Sequence, residues 1–176
     1  MNAHAPSRRD HLRQMAAYNR WMNEKVYAAA ATLPSGEVVA DRGAFFGSIH
    51  GTFNHLLWAD AAWMSRFTGS PMPEEKPERG NPIFGDFAEM HARRLKLDED
   101  ICSWADGLTE DWLVGDLTWF SAMAGREMTA RKTAILIHMF NHQTHHRGQA
   151  HAMLTAAGQD TGDTCIALIL SPSTWA

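Results

Sequence analysis

From Leu12 onward, Met15, Met22, Val26, Ala30 and Leu33 recur at spacings of three and four, with Asn19 on the same line. That is one face of an α-helix. Ser7 ahead of Asp10 predicts its N-cap, with an acid in the first turn, and Pro34-Ser35-Gly36 predicts its end. A second stripe, Phe46, Ile49, Phe53, Leu56, Asp60, Trp63 and Phe67, predicts a helix between Asp41 and Thr68-Gly69. Extra apolar residues beside that stripe place this helix centrally in a bundle. The proline-rich stretch 70–85 reads as an exposed connection. Asp86 with Glu89 then signals a third start, followed by Phe87, Met90, Arg94, Leu97, Ile101, Trp104 and Leu108. Arg94 interrupts that stripe; its stem packs while its guanidinium reaches water or a carboxylate.

Residues 114–129 lack helical periodicity and read as a short hairpin or irregular loop around Ala124-Gly125-Arg126. A fourth helix is predicted from about Thr129 to Ala157, stopped by Gly158. The apolar tail Ile166-Ala-Leu-Ile-Leu is expected to pack across the bundle. Four long helices with one long crossover connection define the expected fold: a single all-α domain over residues 1–176, a four-helix bundle with a short hairpin between helices 3 and 4.

Composition narrows the field. The chain has 176 residues, 45% of them hydrophobic and 20% charged, so it can build a real core. Sixteen basic against twenty acidic side chains leave a net charge of −4, which gives no attraction to nucleic acid or anionic lipid. Cys102 and Cys165 form no CxxC and suit a reducing compartment. No apolar run reaches the ~20 residues of a membrane helix, and the N-terminus shows no signal-peptide stretch, which points to the cytoplasm. There are ten histidines, and five lie between His138 and His151.

Those five sit on the fourth helix. His138/His142 and His142/His146 are four apart and His142/His145 three apart, so each pair shares a face and can converge on one ion at ~2.0–2.1 Å per Zn–N bond. A lone HxxxH pair is equally well two polar helix histidines. Here strongly apolar Ala134-Ile-Leu-Ile and Ala150, Ala152, Met153 and Leu154 flank the cluster. Polar groups in the middle of a buried helix need partners, and a metal satisfies several imidazoles together. His55 is the best third ligand, among the small residues Gly51, Thr52, Ala59 and Ala62; His50, near the helix start, is less well placed. His4, His11 and His91 lie on polar stretches and read as solvated. Gln143 occupies the position where HExxH carries its general base, which excludes that protease mechanism. No GxSxG elbow, P-loop or dinucleotide fingerprint is present.

Asn141-His142-Gln-Thr-His145-His146-Arg147-Gly148-Gln149 resembles the NHxxHHRGQ signature of the DinB/YfiT-like superfamily of four-helix metalloproteins. Tyr18-Asn-Arg-Trp21-Met-Asn23 is similar to its Y-N-x-W-x-N segment, and Asn54-His55-Leu-Leu-Trp58-Ala-Asp60 to its NHxxxxD stretch. The resemblance implies His55, His142 and His146 as metal ligands, with His145 and His138 beside them. Three histidines leave positions open for water or substrate. Imidazole suits Zn²⁺, Ni²⁺, Fe²⁺ or Cu²⁺; the resemblance favours zinc or nickel. Asp60 lies about 140° round the helix from His55, so it is expected to support the site indirectly or to pair with Arg147.

The function expected from the resemblance is a metal-dependent S-transferase or isomerase using a low-molecular-weight thiol, or a hydrolase, acting on a small molecule. His145 and Asp60 are the candidate catalytic residues and a homodimer the expected assembly. The other expectation is a non-catalytic, metal- or ligand-binding stress-associated protein. A wide pocket lined by Trp58, Trp119 and Phe120 would separate the two.

Overall fold

A computed structural model describes residues 7–73 and 83–169. Five helices and one hairpin follow in order: α1 Arg8–Ala31, α2 Ser35–Val39, α3 Ile49–Thr68, α4 Phe87–Gly107, β1 Asp116–Ser121, β2 Arg126–Arg131 and α5 Lys132–Ala156, with a 3₁₀ turn at Ile166–Leu168. The four long helices are those predicted, and the domain is a mostly helical bundle with one small antiparallel sheet. Among the described residues no helix is long and apolar enough to cross a membrane.

Local chemistry accounts for the helix ends. Ser7 and Asp10 form a reciprocal cap: Asp10 N–H donates to Ser7 Oγ (3.2 Å) and Ser7 N–H to the Asp10 carboxylate (2.9 Å). Asp86 Oδ1 accepts from Ala88 N–H at 2.7 Å, while Glu89 turns outward to Arg93. Helix α3 starts seven residues beyond Asp41, at the Ser48 cap, because residues 41–48 form a turn closed by the Ala44–Gly47 bridge. Pro34 ends one helix and opens the five-residue α2, which periodicity alone does not reveal. Strand β2 runs without a loop into α5, and Lys132 N–H donates to the Gly115 carbonyl across the hairpin mouth (3.2 Å).

Helix α1 packs on α4 and α5, and α3 packs on the same two, so α1 and α3 occupy diagonal positions. The core has two apolar halves. One gathers Leu12, Phe67, Ile101, Leu136 and Met139. The other gathers Val26, Tyr27, Phe53, Met90 and Leu154. Between them lies a buried polar layer of Asn19, Asn23, Asp60, Arg94, Asp98, Gln143 and Arg147. The tail departs from expectation: Leu168 is exposed, and residues 170–176 lie outside the described part. Upstream, Tyr18 Oη donates to the Thr164 carbonyl, and Thr161 bonds His151, fastening residues 161–164 along α1 and α5.

Candidate metal centre

The polar layer explains why the chain carries charge inside. Arg94, 1% exposed, donates to Asp60 Oδ2 (2.7 Å), Asp98 Oδ1 (2.7 Å) and Asp98 Oδ2 (3.0 Å). Asn19 and Asn23 donate to Asp98 from α1 at 3.1 and 2.9 Å, and Arg147 donates to Asn19 Oδ1. Two arginines and two aspartates leave no net charge, and their hydrogen bonds offset part of the desolvation cost. Asp60 thus pairs with Arg94 and not with Arg147, because α4 brings its guanidinium against α3. Burial pushes the Asp60 carboxyl up against the pull of Arg94, and burial pushes Arg147 down to about 10.

The helix period places two layers side by side on α5. Gln143 and Arg147 point into the polar layer, and their predecessors His142 and His146 share the adjacent face. There they meet His55 of α3. One ligand nitrogen from each of His55, His142 and His146 lies within 4.8 Å of the others. His55 Nε2 and His142 Nε2 are 3.0 Å apart. A tetrahedral ion with ~2.05 Å bonds spaces its nitrogens by about 3.3 Å, so the cluster is of the right size. Burial, with His146 and the other histidines adding to it, pushes His142 down to about 4; burial lowers His146 as well. The rings are therefore neutral near pH 7, the form that ligates a metal. Three imidazoles at this spacing, two of them held neutral by burial, fit a divalent cation.

Phe46, placed by periodicity in the core stripe, belongs to the site. Its ring stacks on His55 at 3.9 Å and meets His146 edge-on at 5.4 Å. Gly51 makes this fit: a Cβ there would sit 2.2 Å from the Phe46 carbonyl oxygen. Gly51, one of the small residues around His55, thus makes room for the loop that carries Phe46. The Ser48 cap four residues before Thr52 was the available signal, since it marks the turn that folds residues 41–48 onto α3. Asn54 pins the approach to α4, accepting from Phe84 N–H (2.8 Å) and donating to Phe84 O (3.2 Å).

The remaining histidines separate. His145 is exposed, beside His146, with Gln149 Nε2 at 3.4 Å from its Nε2. His138 is exposed, 5.7 Å from the His142 ring and edge-on to Trp63. His11 is exposed as expected, and His4 lies outside the described residues. His91 departs from the solvated reading: it is half-buried and stacks on Tyr27 at 5.2 Å. His50 is buried away from the cluster, against Asn54. Of the aromatic trio expected over the ion, Phe120 is exposed and Trp119 packs edge-on against Trp63.

The sequence profile of the DinB family matches residues 1–168. Protein DinB of Bacillus subtilis (strain 168) is 25% identical over 157 residues, spanning 87% of this chain and 90% of that protein. Both findings agree with a helical bundle whose second and last long helices bring three histidines together. The chain belongs to the DinB family.

Proposed function

We propose that this protein is a metal-dependent enzyme in which His55, His142 and His146 hold one divalent ion, zinc or nickel before iron, and that it acts on a small molecule with a low-molecular-weight thiol or water as the second reactant. The observation that carries the reading is the convergence of three imidazoles from two helices within 4.8 Å, two of them held neutral by burial. A divalent ion held by three histidines supplies a Lewis acid with an open position, lowering the pKa of a thiol or water that enters it.

The chain's own residues do the rest. Burial keeps His142 and His146 unprotonated, and the Phe46 ring shields the His55 side from solvent. His145, exposed one residue from His146, is placed to carry a proton between the site and water. Asp60 is 1% exposed and held by Arg94, so its part is to fix α3, and with it His55, against α4. The stacked Phe46 also favours a second reading, a metal-binding protein without catalysis, because it closes one side of the cluster.

Elemental analysis of purified protein tests the site: about one divalent ion per chain is expected, and His142→Ala should lose most of it while the helices remain. Full metal occupancy in the triple His→Ala variant would refute the assignment. Turnover in a screen of thiols and water against small electrophiles, abolished by His142→Ala, separates the enzyme from the binder.

A further inference from the structure

Gln149 lies three residues after His146 and four after His145, so all three share one stretch of the α5 surface. Its Oε1 is 2.7 Å from His146 Nδ1, and its Nε2 is 3.4 Å from His145 Nε2. A carboxamide oxygen carries no proton, so the short contact requires an N–H on His146 Nδ1. In a neutral imidazole the lone pair then sits on Nε2. His142 has no such support, because its Nδ1 is buried without a hydrogen-bond partner.

We propose that Gln149 is a positioning residue for the metal centre: its carboxamide bridges His146 and His145, locking His146 as the Nδ1–H tautomer and turning its Nε2 lone pair toward His55 and His142. The inference rests on the three-histidine metal reading and goes beyond it by assigning the group that orients one ligand. Partners behind ligating histidines set both ring orientation and ligand basicity, and their loss costs about 10–100-fold in metal affinity. A glutamate at this position keeps the acceptor toward Nδ1–H but cannot donate to His145. The pair of substitutions therefore separates the two halves of the bridge.

The test uses the purified full-length chain stripped with chelator and titrated with Co²⁺, reading the dissociation constant and the visible d–d absorption of the bound ion. Gln149→Leu should weaken Co²⁺ by about 10–100-fold and alter the d–d band, whereas Gln149→Glu should retain wild-type affinity. Gln149 is half-buried on the helix surface, so far-UV circular dichroism of both metal-free variants should match wild type; if the leucine variant unfolds, Gln149→Ser gives the same reading. Wild-type affinity and spectrum in Gln149→Leu, or in Gln149→Ser where it replaces the leucine variant, overturn the proposal. So does an equal loss in Gln149→Glu, which would make the amide, and not the acceptor, essential. A wild-type chain that binds no Co²⁺ overturns the metal reading itself, and this inference with it.

Discussion

Two glycines inside helices have opposite surroundings, and that difference is measurable. A Cβ on Gly51 would meet the Phe46 carbonyl at 2.2 Å, while one on Gly148 would meet nothing within 4 Å. Alanine outranks glycine in a helix by about 0.8–1 kcal/mol. Gly148→Ala should therefore raise stability by about that amount. Gly51→Ala should lower it by about 1–3 kcal/mol, because the overlap moves the 41–48 loop and overpacking outweighs propensity. Urea denaturation of the metal-free proteins checks both; equal shifts would show that Gly51 has no packing role. Displacing the loop also lifts Phe46 from His55, so Gly51→Ala should bind metal less tightly than Gly148→Ala. The histidine spacing on α5 was legible in the chain because i and i+4 are neighbours whatever surrounds the helix. Phe46 was not, because its role depends on a turn that places it above another helix.

At the scale of elements, the bundle is joined through charge. Arg94 on α4 ties α3 through Asp60, and Asp98 ties α1 through Asn19 and Asn23. Removing Arg94 takes from Asp60 its ion-pair partner and leaves two buried carboxylates against the single cation Arg147. Arg94→Leu is expected to cost about 3–5 kcal/mol, the range for breaking a buried ion pair from one side. Lys96→Ala, two residues away, breaks only the exposed pair with Asp100 and should leave the midpoint nearly unchanged. Comparable losses in the two variants would mean that the buried layer contributes no more than a surface pair. The cap at Ser7 and the break in the α4 stripe at Arg94 were both readable. That Arg94 would also meet Asp60 was not, because that follows from α4 packing against α3.

The whole molecule should respond to acid through its histidines. Burial lowers His50, His91, His142 and His146 below the ordinary 6.5, His142 to about 4. The unfolded chain takes up protons near 6.5 that these folded rings refuse. Stability rises with pH wherever the unfolded state binds more protons, so the metal-free fold is at full strength above 6.5 and weakens as pH falls toward 4. Each fully shifted histidine contributes a slope of up to about 1.4 kcal/mol per pH unit. Urea midpoints in chelator at pH 8, 6 and 5 should fall in that order; a flat series would contradict the buried, neutral rings. Metal at 100 times its Kd adds about 2.7 kcal/mol at pH 8, and this increment should narrow as protons compete for the same nitrogens.

What the chain determined by itself is local: four helical periods, the reciprocal Ser7–Asp10 cap, the hairpin before α5, and two histidines one turn apart. Each depends on neighbours within four or so residues, and helix pitch carries that information wherever the helix sits. The chain also offered His55, among small residues on the second helix, and the family motifs agreed, yet neither said that Asp60 belongs to Arg94, that Gly51 yields to Phe46, or that Gln149 reaches His146 and His145 at once. The first two are contacts between elements, and they depend on which helices become neighbours and how each is rotated. The last joins side chains that share a face in sequence, but its atoms meet only when packing selects the rotamers. Burial then does what no spacing can: by removing water from His142 and His146 it keeps those imidazoles neutral to lower pH, in the form able to ligate a metal.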